Sequence, residues 1–428
     1  MVKRKGGGWR GMLLRLGRWM EPGLHIKRWL LLLGGGTLFL SLGMAAWLRS
    51  LYPLPRYFYW LTLQFVPRPL RALLFLLVGV GSVALAVWKL NRSLLEPLLG
   101  GEAQPYPELL YDYRRRGRGP AIVVIGGGHG QSALLRGLKA YTANLTAIVT
   151  VADDGGSSGR LREELGILPP GDFRNCIAAL SDDESMMTRL FQYRFRSRAE
   201  LNGHSFGNLF ISAMAGVTGS FEAALEESSR VLAVRGRVLP STLEAVTLVA
   251  DVQPLDGRPQ RIYGESRIPQ SGGRILRVML EPEHPRAYPG AVQAILGAEM
   301  IVIGPGSLYT SLLPNLLVPE IAQALRATKA PRVYVCNVVT QPGETDGYRA
   351  EEHLQALEQH VGTGLFTHLL VNLPPAGTEP PEGSEWVEPE VLPRAGLTVI
   401  PAQLGNAGNP WQHDSRRLAE AVMALLRR

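Results

Sequence analysis

Two adjacent carboxylates at the end of an apolar run, followed at once by a glycine–serine turn, are the residues of this chain best suited to chemistry. The stretch reads Val149-Thr150-Val151-Ala152-Asp153-Asp154-Gly155-Gly156-Ser157-Ser158-Gly159-Arg160. Acids in that position can hold Mg²⁺ bridging a diphosphate, hydrogen-bond a ribose or sugar hydroxyl, or cap the turn that follows. Magnesium takes one or two carboxylates plus substrate phosphates and water, an arrangement that suits Asp153 and Asp154 as metal ligands. Upstream, apolar residues 121–125 lead into Gly126-Gly127-Gly128-His129-Gly130 and then a helical pattern carrying Leu134, Leu135 and Leu138. Glycines at a strand-to-helix turn let backbone N–H groups and the helix N-terminus face an anion. A strict G-x-G-x-x-G from Gly126 needs glycine where this chain has Gln131, so an ordinary NAD site is disfavoured. A tight turn with no ligand would use the same glycines.

Three further polar turns share this character. Gly304-Pro305-Gly306-Ser307 repeats the glycine-loop logic, with Tyr309, Thr310 and Ser311 offering hydroxyls to phosphate or sugar; a plain N-capped helix start reads the same way. Pro169-Pro170-Gly171-Asp172-Phe173-Arg174-Asn175-Cys176 opens a helix with Asp172 as its expected N-cap, which leaves Arg174 and Asn175 as first-turn surface residues or ligand contacts. Gly203-His204-Ser205-Phe206-Gly207-Asn208 precedes an apolar helix, and His204 there is either a satisfied structural histidine or a phosphate donor. No nucleophile, base and orienter set can be picked out, which weakens a hydrolase reading. Phosphoryl-type transfer relies on positioning and charge neutralisation, so a transferase stays open.

The elements that must position these turns follow from short apolar runs. Residues 121–125, 146–151, 245–250, 300–303, 332–336, 367–372 and 397–401 read as strands, and 131–140, 206–215, 220–232, 350–360 and 415–427 as helices. The alternation predicts an α/β fold, a Rossmann-like three-layer arrangement around a mostly parallel sheet. Residues 251–282 read instead as a small antiparallel excursion. In an open α/β sheet ligands bind at the carboxyl ends of the strands, so the turns after strands 121, 146, 300 and 332 are expected to share one cleft.

Five ordered blocks carry a family resemblance: IGGGHGQSALLRGLK at 125–139, TVADDGGSSGRLREELGILPPGDFRNCIAAL at 150–180, GHSFGNLFISAM at 203–214, IGPGSLYTSLLPNLLV at 303–318 and CNVVTQPGETDGY at 336–348. Over most of residues 120–428 the chain resembles the gluconeogenesis factor (YvcK-like) family, which shares a superfamily with the 2-phospho-L-lactate transferases (CofD-like). The resemblance implies a nucleotide-sugar-binding regulator, with a UDP-sugar as ligand, linking carbon metabolism to cell-wall synthesis and cell shape. It also implies homo-oligomerisation and cell-wall synthesis proteins as partners. In the transferase branch the same fold moves a phospholactyl group from a guanylylated donor to a deazaflavin with a divalent metal. The implied ligand site gathers Gly126, Gly127, Gly128, His129, Gly130, Asp153, Asp154, Gly155, Ser157, Arg174, Asn175, His204, Asn208, Gly304, Gly306, Ser307, Asn337, Thr345 and Tyr348. Two positions depart from the pattern. His129 stands where many members have threonine, and Gln412-His413-Asp414 where many have Arg-His-Asp, which removes a bidentate phosphate clamp.

The 428 residues exceed one average domain, and the excess lies at the N-terminus. Residues 29–48 are 20 uncharged residues and 72–88 another 17, each long enough to cross a bilayer core. Tyr52, Tyr57, Phe58, Tyr59 and Trp60 between them suit an interfacial loop. A basic tail (1–28), a transmembrane hairpin (29–88), a linker (89–118) and a ligand-binding domain (119–428) are therefore expected, with both termini cytoplasmic by the positive-inside rule. The net charge of +8 divides unequally: residues 1–118 hold 18 Lys/Arg against 5 Asp/Glu, leaving 27 against 32 for the rest. That pattern fits anionic lipid rather than nucleic acid. Cys176 and Cys336, the two cysteines, have no metal-ligand spacing and point to a reducing compartment.

Overall fold

The computed structural model describes residues 119–426 except 182–185, 197–200, 255 and 376, together with Gly117 and scattered positions between 34 and 84. The chain divides into two compact units, 1–111 and 112–428. In the larger unit the Val- and Ile-rich runs form strands buried on both faces, as a parallel sheet covered by helices requires. They are β1 (Ile122–Gly126), β2 (Leu145–Val149), β3 (Arg237–Pro240), β7 (Met300–Ile303), β8 (Arg332–Val335), β9 (His368–Asn372) and β10 (Thr398–Ala402). The seven pair in the order β10-β9-β8-β7-β1-β2-β3, every neighbour parallel. Chain direction across the sheet reverses beside β1, which therefore marks the topological switch point.

Helices fill the connections: α1 (Gly128–Leu138), α2 (Gly156–Leu165), α3 (Gly171–Leu180), α4 (Met186–Gln192), α5 (Phe206–Thr218), α6 (Phe221–Val231), α7 (Pro289–Leu296), α8 (Leu313–Leu316), α9 (Pro319–Ala327), α10 (Ala350–Val361) and α11 (Ser415–Leu425). Ser205, Ser220 and Asp414 cap α5, α6 and α11 by accepting main-chain N–H bonds, satisfying donors that a helix start leaves open. A short π-helical turn, Leu308–Leu312, precedes α8.

One strand expectation needs correction. The apolar run at 245–250 does not join the main sheet but begins β4 (Thr247–Pro254), which pairs antiparallel with β5 (Gln260–Tyr263) and β6 (Gly273–Glu281). The seventh main-sheet strand is instead β3, a short edge segment whose side chains are only partly apolar. The antiparallel excursion expected at 251–282 is present.

In the smaller unit Leu38, Leu73, Leu74, Leu77, Val80 and Val83 are exposed. Gly34, Thr37, Leu38 and Ser41, and Leu73, Leu74, Leu77, Val80, Gly81, Val83 and Ala84, are helical. Most of the expected spans 29–48 and 72–88 lie outside the described residues, and among the described residues no helix is long and apolar enough to cross a membrane.

Candidate functional site

A cleft of about 720 Å³ opens at the carboxyl edge of the main sheet, across the switch point. Its floor is the two glycine loops. Gly128 has φ +66°, which favours glycine, and turns the chain from β1 into α1. Gly130 lies so close to the second loop that a Cβ there would come within 2.5 Å of the Pro305 carbonyl. Gln131, the residue that breaks the dinucleotide fingerprint, is fully buried and donates through Nε2 to the Val124 and Ile148 carbonyls at 2.9 Å each. It thereby fastens α1 to β1 and β2. Asn315 does the same for the second loop, donating to Gly126 and Ser311 carbonyls.

One end of the cleft is acidic. Asp153, Asp172 and Glu265 all line it. Asp153 Oδ1 accepts the Gly155 N–H at 2.8 Å, the turn-capping bond expected of a strand-end aspartate. Asp172 is not the N-cap of α3: that position is Pro170, and the Asp172 carboxyl reaches back to the first glycine loop, where the Gly128 N–H bonds it. A Cβ on Gly127 would stand 2.7 Å from its Oδ2, so the loop accepts this acid because it lacks a side chain. Burial raises the Asp172 pKa to about 6, and the Asp153 charge adds to that. Burial, with the charges of Asp153, Asp154, Glu344 and Asp172, raises Glu265 to about 8. Burial likewise raises Asp153, against bonds from Gly155 and Ser158, and carries Glu344 up to about 7. This end of the cleft thus holds more negative charge than it can solvate.

Asp154 has a different place. It does not line the cleft; its Oδ1 accepts the Ser266 N–H at 2.9 Å, holding the turn that carries Glu265 inward from the antiparallel excursion. In this place Asp154 positions the turn that carries Glu265. Among the described residues no three His, Cys, Asp or Glu side chains sit close enough to form a metal cage.

The rest of the lining is amides, hydroxyls and aromatic side chains, with Arg136 of α1 as its one basic residue besides the histidines. Asn337 Nδ2 donates to Gln341 Oε1 at 3.0 Å, and Gln341 Nε2 donates to Ser307 Oγ at 2.8 Å, forming a chain of amides along the wall. Asn406, Trp411, Gln412 and His413 close the cleft there. They reach it because α11 lies against α1, where Gly137 leaves room for the Ser415 main chain.

Of the expected residues, Gly127, Gly128, His129, Gly130, Asp153, Gly306, Ser307 and Asn337 line the cleft. The others support it. Gly126 and Gly304 lie at strand ends, Gly155 caps Asp153, and Thr345 Oγ1 accepts the Gln341 N–H at 2.9 Å. Tyr348 is bonded hydroxyl to hydroxyl with Tyr309 at 2.9 Å. Ser157 Oγ lies 3.0 Å from His204 Nδ1 and accepts from Asn208 Nδ2. Arg174 donates to Ser205 and Asn175, whose side chain also bonds Asp172, so this cluster braces the acidic end from behind. Burial and the Arg160 charge lower the His204 pKa. Sequence reasoning missed Asp172 as a cleft acid, Glu265, Gln341 and Trp411.

A parallel α/β sheet with its cleft at the switch point, floored by two glycine loops and walled by acids on one side, defines a Rossmann-like protein built around a ligand cleft. Residues 122–404 match the family 2-phospho-L-lactate transferase CofD. The chain is 48% identical to the gluconeogenesis factor of Bacillus subtilis over 319 residues, 73% of this chain and 99% of that one. A Deinococcus radiodurans relative is 39% identical over 441 residues, 95% of this chain and 89% of its own. A crystal structure of a Bacillus halodurans protein superposes with a TM-score of 0.67 at 44% identity, covering 72% of this chain and all of that one. The chain belongs to the gluconeogenesis factor branch of the CofD family.

Proposed function

We propose that the unit at 119–428 binds a nucleoside-diphosphate-linked ligand, a UDP-sugar in the first instance, and acts as a regulator linking carbon metabolism to cell-wall synthesis and cell shape. The observation that carries this reading is a cleft at the carboxyl edge of the sheet lined by two glycine loops, by the acids Asp153, Asp172 and Glu265 and by the basic Arg136. The glycine loops and the α1 N-terminus suit a diphosphate, and the acids beside them suit the cation that a diphosphate brings. The donor set fits Mg²⁺: Asp153 and Asp172 offer carboxylate oxygens to the cleft, and burial, with the charge of a neighbouring acid, raises the pKa of each. Bound there, Mg²⁺ would neutralise the phosphate oxygens. The N-terminal part serves as a two-span membrane anchor in this reading, supported by its uncharged runs and the exposed leucines and valines of their described residues.

Calorimetric titration of residues 119–428 with UDP-glucose and GDP-mannose, with and without Mg²⁺, tests the proposal. Saturable binding that is stronger with Mg²⁺ is the expected result; no heat from either nucleotide overturns it. A second reading, a metal-dependent transferase using a nucleoside-diphosphate-linked donor, is favoured by the cleft acids and by the family match to a transferase. Product formation from a candidate donor that stops with EDTA would select it over the regulator.

A further inference from the structure

One face of α1 turns toward the cleft for most of the helix's length. His129, Ser132, Ala133 and Arg136 line the cavity, at the i, i+3, i+4, i+7 spacing of a single helix face. The opposite face fixes that rotation: Gln131, Leu134, Leu135 and Leu138 are buried, and Gln131 is bonded to β1 and β2. Counted along the helix, Arg136 stands roughly 10 Å beyond His129. The glycine loops and the acids occupy the near end of this face. A cavity of about 720 Å³ is of a size to take a whole ligand, so what extends beyond the phosphates runs along α1.

Arg136 is exposed, so a ligand in the cleft can reach it, and among the described residues its guanidinium makes no hydrogen bond or ion pair. Other arginines serve the cleft acids. The Arg162 charge acts on Asp153 and the Arg174 charge on Asp172, which leaves Arg136 unspent. A planar guanidinium matches a carboxylate or a phosphate with two parallel N–H bonds, a geometry that neutral acceptors rarely offer. Helical side chains lean toward the helix N-terminus, which carries the reach of this long stem back along α1 toward the glycine loops.

We propose that Arg136 forks onto an oxyanion of the bound ligand, so that α1 holds the ligand at two points, a phosphate at its N-terminus and a second anionic group along its side. Two parts of a nucleoside-diphosphate-linked ligand supply that chemistry: the distal phosphate of the diphosphate, or a carboxylate on the group that the diphosphate carries. The assignment rests on the nucleotide reading above and adds to it a specificity-determining residue and the direction in which the ligand lies.

The test compares the full-length wild type with Arg136→Gln and Arg136→Lys by calorimetric titration with UMP, UDP, UDP-glucose and UDP-glucuronate, all with Mg²⁺. Arg136→Gln should weaken the affected ligands about 10- to 100-fold, the worth of a hydrogen bond to a charged group, and should reduce the fall of their affinity with added salt. Arg136→Lys keeps the charge without the fork and should recover part of the loss. Loss for UDP and both UDP-sugars with UMP spared assigns the distal phosphate; loss confined to UDP-glucuronate assigns the carboxylate. Urea unfolding of Arg136→Gln should match the wild type, because the side chain has no partner to lose. Weaker binding that comes with lower stability would mean a structural role and overturn the proposal, as would equal loss for all four ligands, UMP included. Wild-type affinity of Arg136→Gln for every ligand overturns it too and leaves the nucleotide reading standing. A wild type that binds none of the four removes both.

Discussion

At the scale of single residues, the acids divide into those that line the cleft and those that hold them in place. Asp154 grips the Ser266 N–H and so helps hold Glu265 at the cleft, a contact across 112 positions of chain. Its raised pKa has a sign that can be checked. The folded protein keeps the Glu265 proton up to about pH 8, whereas the unfolded chain releases it near 4.5. The native state therefore binds more protons across that window, and the ligand-free protein loses stability as pH rises from about 4.5 to 8. Urea unfolding at a series of pH values should show this fall, and Glu265→Gln should flatten its upper part; an unchanged slope would place the proton elsewhere. Asp153 was legible from sequence as a cleft residue because it follows a strand at the carboxyl edge of the sheet, and it also makes the turn-capping bond expected there. Asp172 was not, because an acid one residue into a helix looks like a cap, and only the bare Gly127 shows where its carboxyl goes. Glu265 gave no signal at all, since the excursion that carries it folds back from a second sheet.

Among the elements, the packing of α11 on α1 decides whether the cleft has a far wall. Gly137 is the point of closest approach: a Cβ there would run into the Ser415 carbonyl and the Ala419 side chain. Gly137→Val is therefore expected to push α11 off, at a cost of about 1–3 kcal/mol or more for forced overpacking. Urea unfolding should read the loss of stability, and titration with UDP-glucose should show weaker binding although no ligand-facing residue has changed. Retained stability and affinity would mean that α11 moves without taking the wall with it. The sequence makes the parallel strands plain wherever they are buried on both faces, as at β1 and β7, because a continuous apolar run bounded by glycine has one common use. It misleads at the sheet's edge. Arg237–Pro240 offers only two apolar residues, while 245–250 looks like a core strand yet pairs antiparallel elsewhere, since a short apolar run does not announce which sheet it joins.

For the whole molecule, the relatives separate what the two units contribute. The Bacillus halodurans structure is matched over its entire length by 72% of this chain, so that structure has the shared fold without a counterpart of the remainder. Removing residues 1–118 takes away 18 basic and 5 acidic residues and leaves β1 and every cleft residue in place. The truncated protein should bind UDP-glucose as tightly as the detergent-solubilised full chain. An affinity loss of more than about 10-fold, or roughly 1.4 kcal/mol, would show that the N-terminal part helps build the site.

The Asp172 carboxyl stands at the start of α1, bonded by the Gly128 N–H. On the proposed reading this carboxylate would repel a bare phosphate arriving at the helix start, whereas with Mg²⁺ present it would hold the cation instead. Cation and nucleotide should then be reciprocal effectors: each raises the other's affinity by the same factor, as linkage demands. Measuring UDP affinity across Mg²⁺ concentrations, and Mg²⁺ affinity across UDP concentrations, should return one coupling constant, and Asp172→Asn should reduce it towards unity.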